Sequence, residues 1–426
     1  MVSQMVGEAR RRPVLQPQSE LGAFTLRAGL ATTLAGIGAV QNRALPSVAM
    51  GGYAMSSAAE MPVDSAPIFE AAPMAVAHAA AVLIINFNTA QRTIRCIESI
   101  RRGSMLPRRI WILDNDSQQE DFELLQTHVG ALTLDGVELI LLRSERNLGF
   151  AAGCNLMIDR ALEDVECTQL LLLNSDAVAL PEWVRTMTTC ASRTPESTGM
   201  VGARMHKLAR PQEVDTLGIS LYRSLMPADR HCLDDLLVGP SGGCCLLKRA
   251  MLEDIHRVAG YYFDARYFCY CEDTDLVLRA VLGGYQTIYV NEVLALHEGQ
   301  ASSGGGVSSF ITYHGLRNSI WMHAKLLPAS IFWRFGLLLV LAHMLSIARH
   351  GLFGRVGLLW RTYKDALAGL PSFWRERARF QQAFRSQDAV WRSHITPAFY
   401  RRRYLSHVLR MEGRKHKQSR RAAEIE

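Results

Sequence analysis

Asn174, Ser175 and Asp176 follow four leucines without a break in the run LLLLNSDAVALPEW, residues 170 to 183. A buried strand ending in an amide and a carboxylate two residues apart can aim both groups from one turn at a single point. Such a sparse pair suits Mg²⁺ or Mn²⁺, hard cations that take few carboxylates from protein and fill their shell with phosphate oxygens and water. The ending recurs: the apolar run at 82–86 closes on Asn86 and Asn88, and the one at 110–113 on Asp114, Asn115 and Asp116. A lone Asx at a strand end usually caps a turn or the next helix. Three strands with this ending, and little Lys or Arg among them, point instead to a site for a polar ligand and a cation.

A second constellation lies in YFCYCEDTDLVLRA. A helix starting near Glu272 places Glu272, Asp275 and Arg279 on one stripe, with Asp275 and Arg279 spaced as an i, i+4 ion pair. Asp273 then points elsewhere and becomes the candidate general base, the alternative being a helix cap. VLALHEG puts His297 at another strand end, as a metal ligand or a hydrogen-bonded imidazole, and the following ASSGGG reads as a loop able to close over a site. The loop RNLGFAAGCN supplies Gly149 and Gly153 but is not GxGxxG, and no acidic residue follows at the ribose-binding distance. A nicotinamide-dependent oxidoreductase is therefore a poor reading.

Positioning these groups requires an α/β architecture. Between Ala81 and about residue 180, apolar runs alternate with helix-like stretches, and their continuous hydrophobicity implies strands buried on both faces, as in a parallel sheet between helices. Ligands bind such sheets beyond the carboxyl ends of the strands. GGCCLLKRAMLEDI, EDTDLVLRAVLGGY, QTIYV and VLALH fit a mixed extension of the same sheet. Residues 1–80 lack Lys and Arg from 44 onward and read as a disordered low-complexity extension. Nine scattered cysteines without a CxxC pair suggest neither a zinc site nor a disulfide framework, and favour a reducing compartment.

Charge separates the C-terminal part from the rest. Arg349 to Arg421 holds 18 Lys and Arg against 4 Asp and Glu, leaving 29 against 36 elsewhere. FGLLLVLAHMLSIA offers 14 uncharged positions between Arg334 and Arg349, short of the roughly 20 that span a bilayer. With GLFGRVGLLWRTYKDALAGLPSFW after it, residues 326–426 read as a helical, basic, amphipathic region lying against a membrane surface, the alternative being a helical lid packed on a soluble body. The run RRRYLSHVLRMEGRKHKQSRR comes with no nucleic-acid-reading motif, so no nucleic-acid partner is expected.

Taken in order, VLIINFN, WILDNDS, NLGFAAGCN, LLLNSD, GGCCLLKR, FCYCEDTDLVLRA and VLALHEG resemble the inverting family 2 glycosyltransferases, particularly their rhamnosyltransferase-like bacterial branch. The resemblance covers about residues 80–325 and implies a GT-A fold over 81–325, with sugar transfer from a nucleoside diphosphate donor to a hydroxyl of a glycan or glycolipid acceptor. It implies that NSD stands in place of a DXD motif, with Asp176 and His297 toward the metal and Asp273 as base. Asn174 departs from a strict DXD. Asn86, Asn88, Asp114, Asn115, Asn147, Gly149, Asn155, Asn174, Gly243 and Glu272 are the implied nucleotide-sugar contacts. The branch points to dTDP-rhamnose, with UDP- and GDP-sugars open, and to peripheral attachment at the cytoplasmic side of an anionic inner membrane in cell-surface glycan synthesis. A catalytically silent nucleotide-sugar binder on the same fold is the rival, since fold alone does not establish chemistry.

Overall fold

The computed structural model describes residues 75–299, 308–384 and 387–402, all within one compact unit, Glu70–Glu426. The expected N-terminal extension up to residue 74, the glycine run after His297 and the basic run from residue 403 lie outside the described residues.

A mixed sheet flanked by helices forms the body, as the apolar runs require. β1 (Ala75–Asn86), β2 (Met105–Asp114), β3 (Glu138–Arg143) and β4 (Gln169–Leu173) are parallel and ordered β3-β2-β1-β4. β1 starts ahead of the boundary expected at residue 81. The sheet continues through β5 (Ala177–Ala179), β6 (Thr198–Lys207) and β7 (Arg210–Thr216), and through β10 (Cys244–Lys248) and β11 (Gln286–His297). β10 runs antiparallel between β4 and β6, and β11 pairs β6 in parallel and β5 in antiparallel. QTIYV and VLALH, read as two pieces, are one strand with register shifts. β8 (Ile219–Tyr222), β9 (Pro227–Asp229) and β12 (Ile395–Thr396) make a small second sheet.

Burial on both faces explains the leucine runs. Leu83, Leu170 and Leu172 enter one apolar cluster, whereas Val82, Ile84, Leu171 and Leu173 enter the other. Each side chain removed from water contributes roughly 1.5–3 kcal/mol, so neither face can be given up. The order reverses between β1 and β4, leaving a crevice at their carboxyl ends. Among the helices, α1 (Ala90–Arg101), α2 (Gln119–Ala131), α3 (Gly149–Leu162), α4 (Trp183–Arg193) and α5 (Arg249–Ala259) intervene between strands, followed by α6 (Glu272–Leu282).

The C-terminal helices are α7 (Ser309–Leu326), α8 (Ala329–Leu352), α9 (Val356–Ala383) and α10 (Gln387–His394). α8 revises the 14-residue estimate. It runs 24 residues, about 36 Å, takes in both Arg334 and Arg349, and is by length and composition able to cross a membrane. Only 17% of its apolar window is buried, and Trp333, Leu337 and Leu352 are each more than four-fifths exposed.

A buried charge cluster docks α7 on α6. Lys325 Nζ sits 2.8 Å from Asp264 Oδ2 and 2.7 Å from Asp275 Oδ1, and Asp275 Oδ2 accepts from Arg279 Nε at 2.8 Å, with all four residues buried. The ion pair expected between Asp275 and Arg279 thus forms, inside the core instead of on a solvated face. Removing one member of a buried pair strands the other, a loss of about 3–5 kcal/mol. Lys325→Ala is accordingly expected to lower stability by about that amount, read as a reduced denaturant midpoint at unchanged slope.

Candidate active site

Strand pairing builds the first half of the site. β4 ends at Leu173, the chain turns through Asn174, Ser175 and Asp176, and β5 pairs with β11 so that Ala177 faces His297. Asp176 Oδ1 consequently lies 3.0 Å from His297 Nε2. The Asn174 amide lies 3.2 Å from the same nitrogen, and Asp215 Oδ2 accepts from Nδ1 at 2.8 Å. Burial opposes charge on His297, but the hydrogen bonds and charges of Asp176 and Asp215 outweigh it and raise the imidazole to about 10.

Asp176 and His297 suit a divalent cation. The carboxylate and the imidazole nitrogen, 3.0 Å apart, would together hold such an ion, and Asp215, bonded to Nδ1, would orient the imidazole toward it. Among the described residues no three His, Cys, Asp or Glu side chains form a ready-made cage. The pair leaves the rest of a coordination shell to ligand oxygens.

The second half comes from the start of α6. Asp273 Oδ2 accepts from Gly242 N at 3.1 Å, and its Oδ1 accepts from Thr274 N at 2.6 Å. Burial raises its pKa above the ordinary carboxylate range, against the lowering effect of the bond from Gly242 N, and the charge of Asp229 adds to the rise. Glu272 is 6% exposed, and its Oε2 has no hydrogen-bond partner among the described residues. Burial and the neighbouring Asp273 push its carboxyl well above the usual range, toward the neutral form. Gly243 keeps the two halves close: a Cβ there would stand 2.9 Å from Asn174 Nδ2.

A cavity of about 780 Å³ takes in Asn174, Asp176, Asp215, Asp229, Gly243, Glu272, Asp273 and His297. Asn115, Asn147 and Gly149 also line it, although the polar atoms of the two amides are largely spent on the loop. Asn115 Oδ1 accepts from Leu148 N at 2.9 Å, its Nδ2 donates to Asn147 Oδ1 at 3.1 Å, and Asn147 Oδ1 accepts from Gly149 N at 2.8 Å.

Four of the expected nucleotide-sugar contacts fall outside the cavity lining. Asn86 and Asp114 are fully buried; Asn86 Nδ2 donates to Asp114 Oδ1 and to Asp121 Oδ2, both at 2.9 Å, and its Oδ1 accepts from Thr93 Oγ1 at 2.7 Å. Asn88, at φ 54°, accepts from Gln118 N at 2.8 Å. Asn155 exchanges two hydrogen bonds with the Phe263 backbone, at 2.7 and 2.8 Å. Each of the four is hydrogen-bonded within the chain, where it ties a strand end or loop to its neighbours. Asp215 and Asp229, by contrast, escaped the sequence reading. They sit on short polar strands whose pairing, not composition, brings them to the site.

The loop before α6 is strained. Phe268, Tyr270 and Cys271 have φ of 66°, 68° and 67°, and holding a non-glycine residue there costs on the order of 1–3 kcal/mol. Phe268 O accepts from Phe150 N at 2.7 Å and Ala151 N at 3.1 Å, at the start of α3. A Cβ on Gly149, which itself has φ 72°, would lie 2.5 Å from that oxygen. Glycine is therefore obligatory for the crossing.

Residues 81–256, less than half of the chain, match the family described as Glycosyl transferase family 2. The match supports a glycosyltransferase domain of that family; it includes Asp176 and ends before Asp273 and His297. No curated protein matches the chain in sequence. Among solved structures, the chain is similar to mannosyltransferase PcManGT from Pyrobaculum calidifontis in complex with GDP-Man and Mn²⁺. That likeness has 14% identity, coverage of 72% of this chain and 85% of that chain, and a TM-score of 0.44. S. aureus TarS 1–349 is similar at 13% identity, with 74% and 91% covered and a TM-score of 0.44. These are likenesses of fold alone.

Asp215→Asn removes the carboxylate behind His297 and is expected to weaken Mn²⁺ binding by about 10–100-fold while the fold persists. Calorimetric titration of the full chain with Mn²⁺ measures this, and unchanged affinity would remove His297 from the cation site.

Proposed function

We propose that the protein transfers a sugar from a nucleoside diphosphate donor to a hydroxyl of a glycan or lipid-linked acceptor, with inversion. The observation that carries this reading is the meeting of the Asp176–His297 pair and Asp273 in one cavity, although they come from a strand turn, a strand end and a helix start. The family 2 match over the first of these segments supports the same reaction class.

The roles follow from charge. Asp176 and His297 would hold Mg²⁺ or Mn²⁺, and a cation there offsets the negative charge that develops on a departing diphosphate. Asp273 takes the proton of the acceptor hydroxyl as that oxygen attacks the sugar carbon on the face opposite the leaving group. Its raised pKa strengthens it as a base, while the bonds from Gly242 N and Thr274 N hold the carboxylate in place. The substituted Asn174 keeps one negative charge fewer than a DXD pair. dTDP-rhamnose is the first donor to test, followed by UDP- and GDP-sugars.

The C-terminal helices support peripheral attachment at the cytoplasmic face of an anionic membrane. Trp333, Leu337, Trp360, Leu367 and Trp374 are exposed on α8 and α9, and the chain from Arg349 onward is strongly basic. Aromatic and leucine side chains beside Arg and Lys match the boundary between headgroups and acyl chains. This placement would bring a lipid-linked acceptor to the site.

Two outcomes are expected. Asp273→Asn should lower transfer by about 100-fold or more while donor binding, followed by thermal shift, is kept; equal turnover would dismiss the assigned base. Because Asp273 must be ionised, and burial raises its pKa, kcat/KM should fall with decreasing pH at values above the ordinary aspartate range. Second, the full chain should sediment with anionic vesicles, and Trp333→Glu with Leu337→Glu should release it. Equal recovery of both proteins in the supernatant would reject the membrane surface.

A further inference from the structure

Asn318 lies on α7, more than forty residues along the chain from Asp273. It is fully buried, and its amide nitrogen points at the strained loop. Nδ2 lies 2.7 Å from Tyr270 O, 2.9 Å from Cys269 O and 3.0 Å from Tyr267 O. Two amide hydrogens thus serve three carbonyls, one of them shared.

Arg317 fixes the amide's orientation. Its Nε donates to Asn318 Oδ1 at 3.0 Å, which assigns that atom as oxygen, and its Nη2 donates to Tyr267 O at 3.1 Å. Of the carbonyls gathered here, that of Tyr270 belongs to a residue at φ 68°, and those of Tyr267 and Cys269 flank Phe268 at φ 66°. Cys269 N donates to Tyr267 O at 2.7 Å, closing a three-residue turn around Phe268 at φ 66°, ψ −61°, the rare positive-φ form of the γ-turn. Tyr270 and Cys271 follow in the left-handed region. A free chain would relax such a segment, so something must hold it from outside.

What the loop positions is the start of α6. Cys271, at φ 67° and ψ −4°, is its N-cap residue, and Asp275 N donates to Cys271 O at 2.9 Å. Glu272 and Asp273 are the first two residues of the helix. A change of conformation at Tyr270 or Cys271 therefore swings the Asp273 carboxylate relative to the cavity. Phe268 stacks on His314 of α7, the helix that carries Asn318, with centroids 5.5 Å apart, adding a packing contact to the hydrogen bonds.

We infer that Asn318, oriented by Arg317, is a positioning residue. It clamps the positive-φ loop 268–271 and thereby sets the place of Asp273 in the transfer reaction. This inference rests on the role proposed for Asp273, but the clamp itself is a property of the backbone and can be measured without turnover.

The test is Asn318→Asp in the full chain, which keeps the side-chain size and replaces the donating group with an oxygen facing three carbonyls. Hydrogen exchange of the amides from 268 to 275 should accelerate by about tenfold or more, with the amides of β1 and β4 unchanged. Transfer kcat should fall by about 100-fold, the scale of a misplacement near 1 Å. KM for the donor should change by less than about threefold, the sign of an interaction expressed only in the transition state. The acid limb of the pH profile should also move, because the surroundings of Asp273 change. Wild-type exchange in 268–275 together with a wild-type pH profile would overturn the inference. A purely architectural asparagine would lower stability and leave the pH profile of the surviving enzyme in place. If Asn318→Asp does not fold, Asn318→Asp with Tyr270→Gly and Cys271→Gly relieves the left-handed strain; kcat should stay low in that protein, and full recovery would refute positioning by Asn318. If the wild-type protein transfers no sugar from any donor, the proposed reaction falls while the exchange measurement still decides the clamp.

Discussion

The pairing of β5 with β11 is the constraint on which the site depends. It sets His297 against Asp176, two groups more than a hundred residues apart, and it does so through backbone register, not side-chain attraction. A slip of one residue would turn His297 to the other face of the sheet. His297 bridges Asp176 and Asp215, whose hydrogen bonds and charges raise its pKa against the effect of burial.

Rigidity on the sheet side is matched by strain on the helix side. Asp176 is fixed by a turn between two paired strands, whereas Asp273 hangs on a loop with three non-glycine residues at positive φ. That loop is overdetermined from two directions. The start of α3 grips Phe268 O, with Gly149 allowing the approach, and α7 grips the next carbonyls through Asn318. The buried Lys325, placed between Asp264 and Asp275, anchors α7 to the same helix it serves. The C-terminal helices are thus part of the site's framework.

Much of this was legible in the residues. Continuous leucines required strands covered on both faces, and the two apolar clusters supply that cover. The i, i+4 spacing of Asp275 and Arg279 foretold their ion pair and turned Asp273 away from it. Amides and carboxylates recur at the strand ends, but this one pattern has two placements. Asn174 and Asp176 face the cavity, whereas Asn86, Asn88 and Asp114 satisfy turns and one another. Local sequence carries the tendency of an Asx residue to bond nearby backbone and not whether a ligand will be the partner.

The sequence by itself determined the mixed α/β sheet, the polar endings of its strands and the basic charge of the C-terminal part. These follow from short-range pattern: burial, spacing and charge. Only the tertiary structure decided that Asp215 stands behind His297, that α8 runs past both of its bounding arginines, and that Asn318 reaches the loop before α6. Each depends on contacts between segments remote along the chain, where strand register and helix docking choose the neighbours and no local preference records the choice.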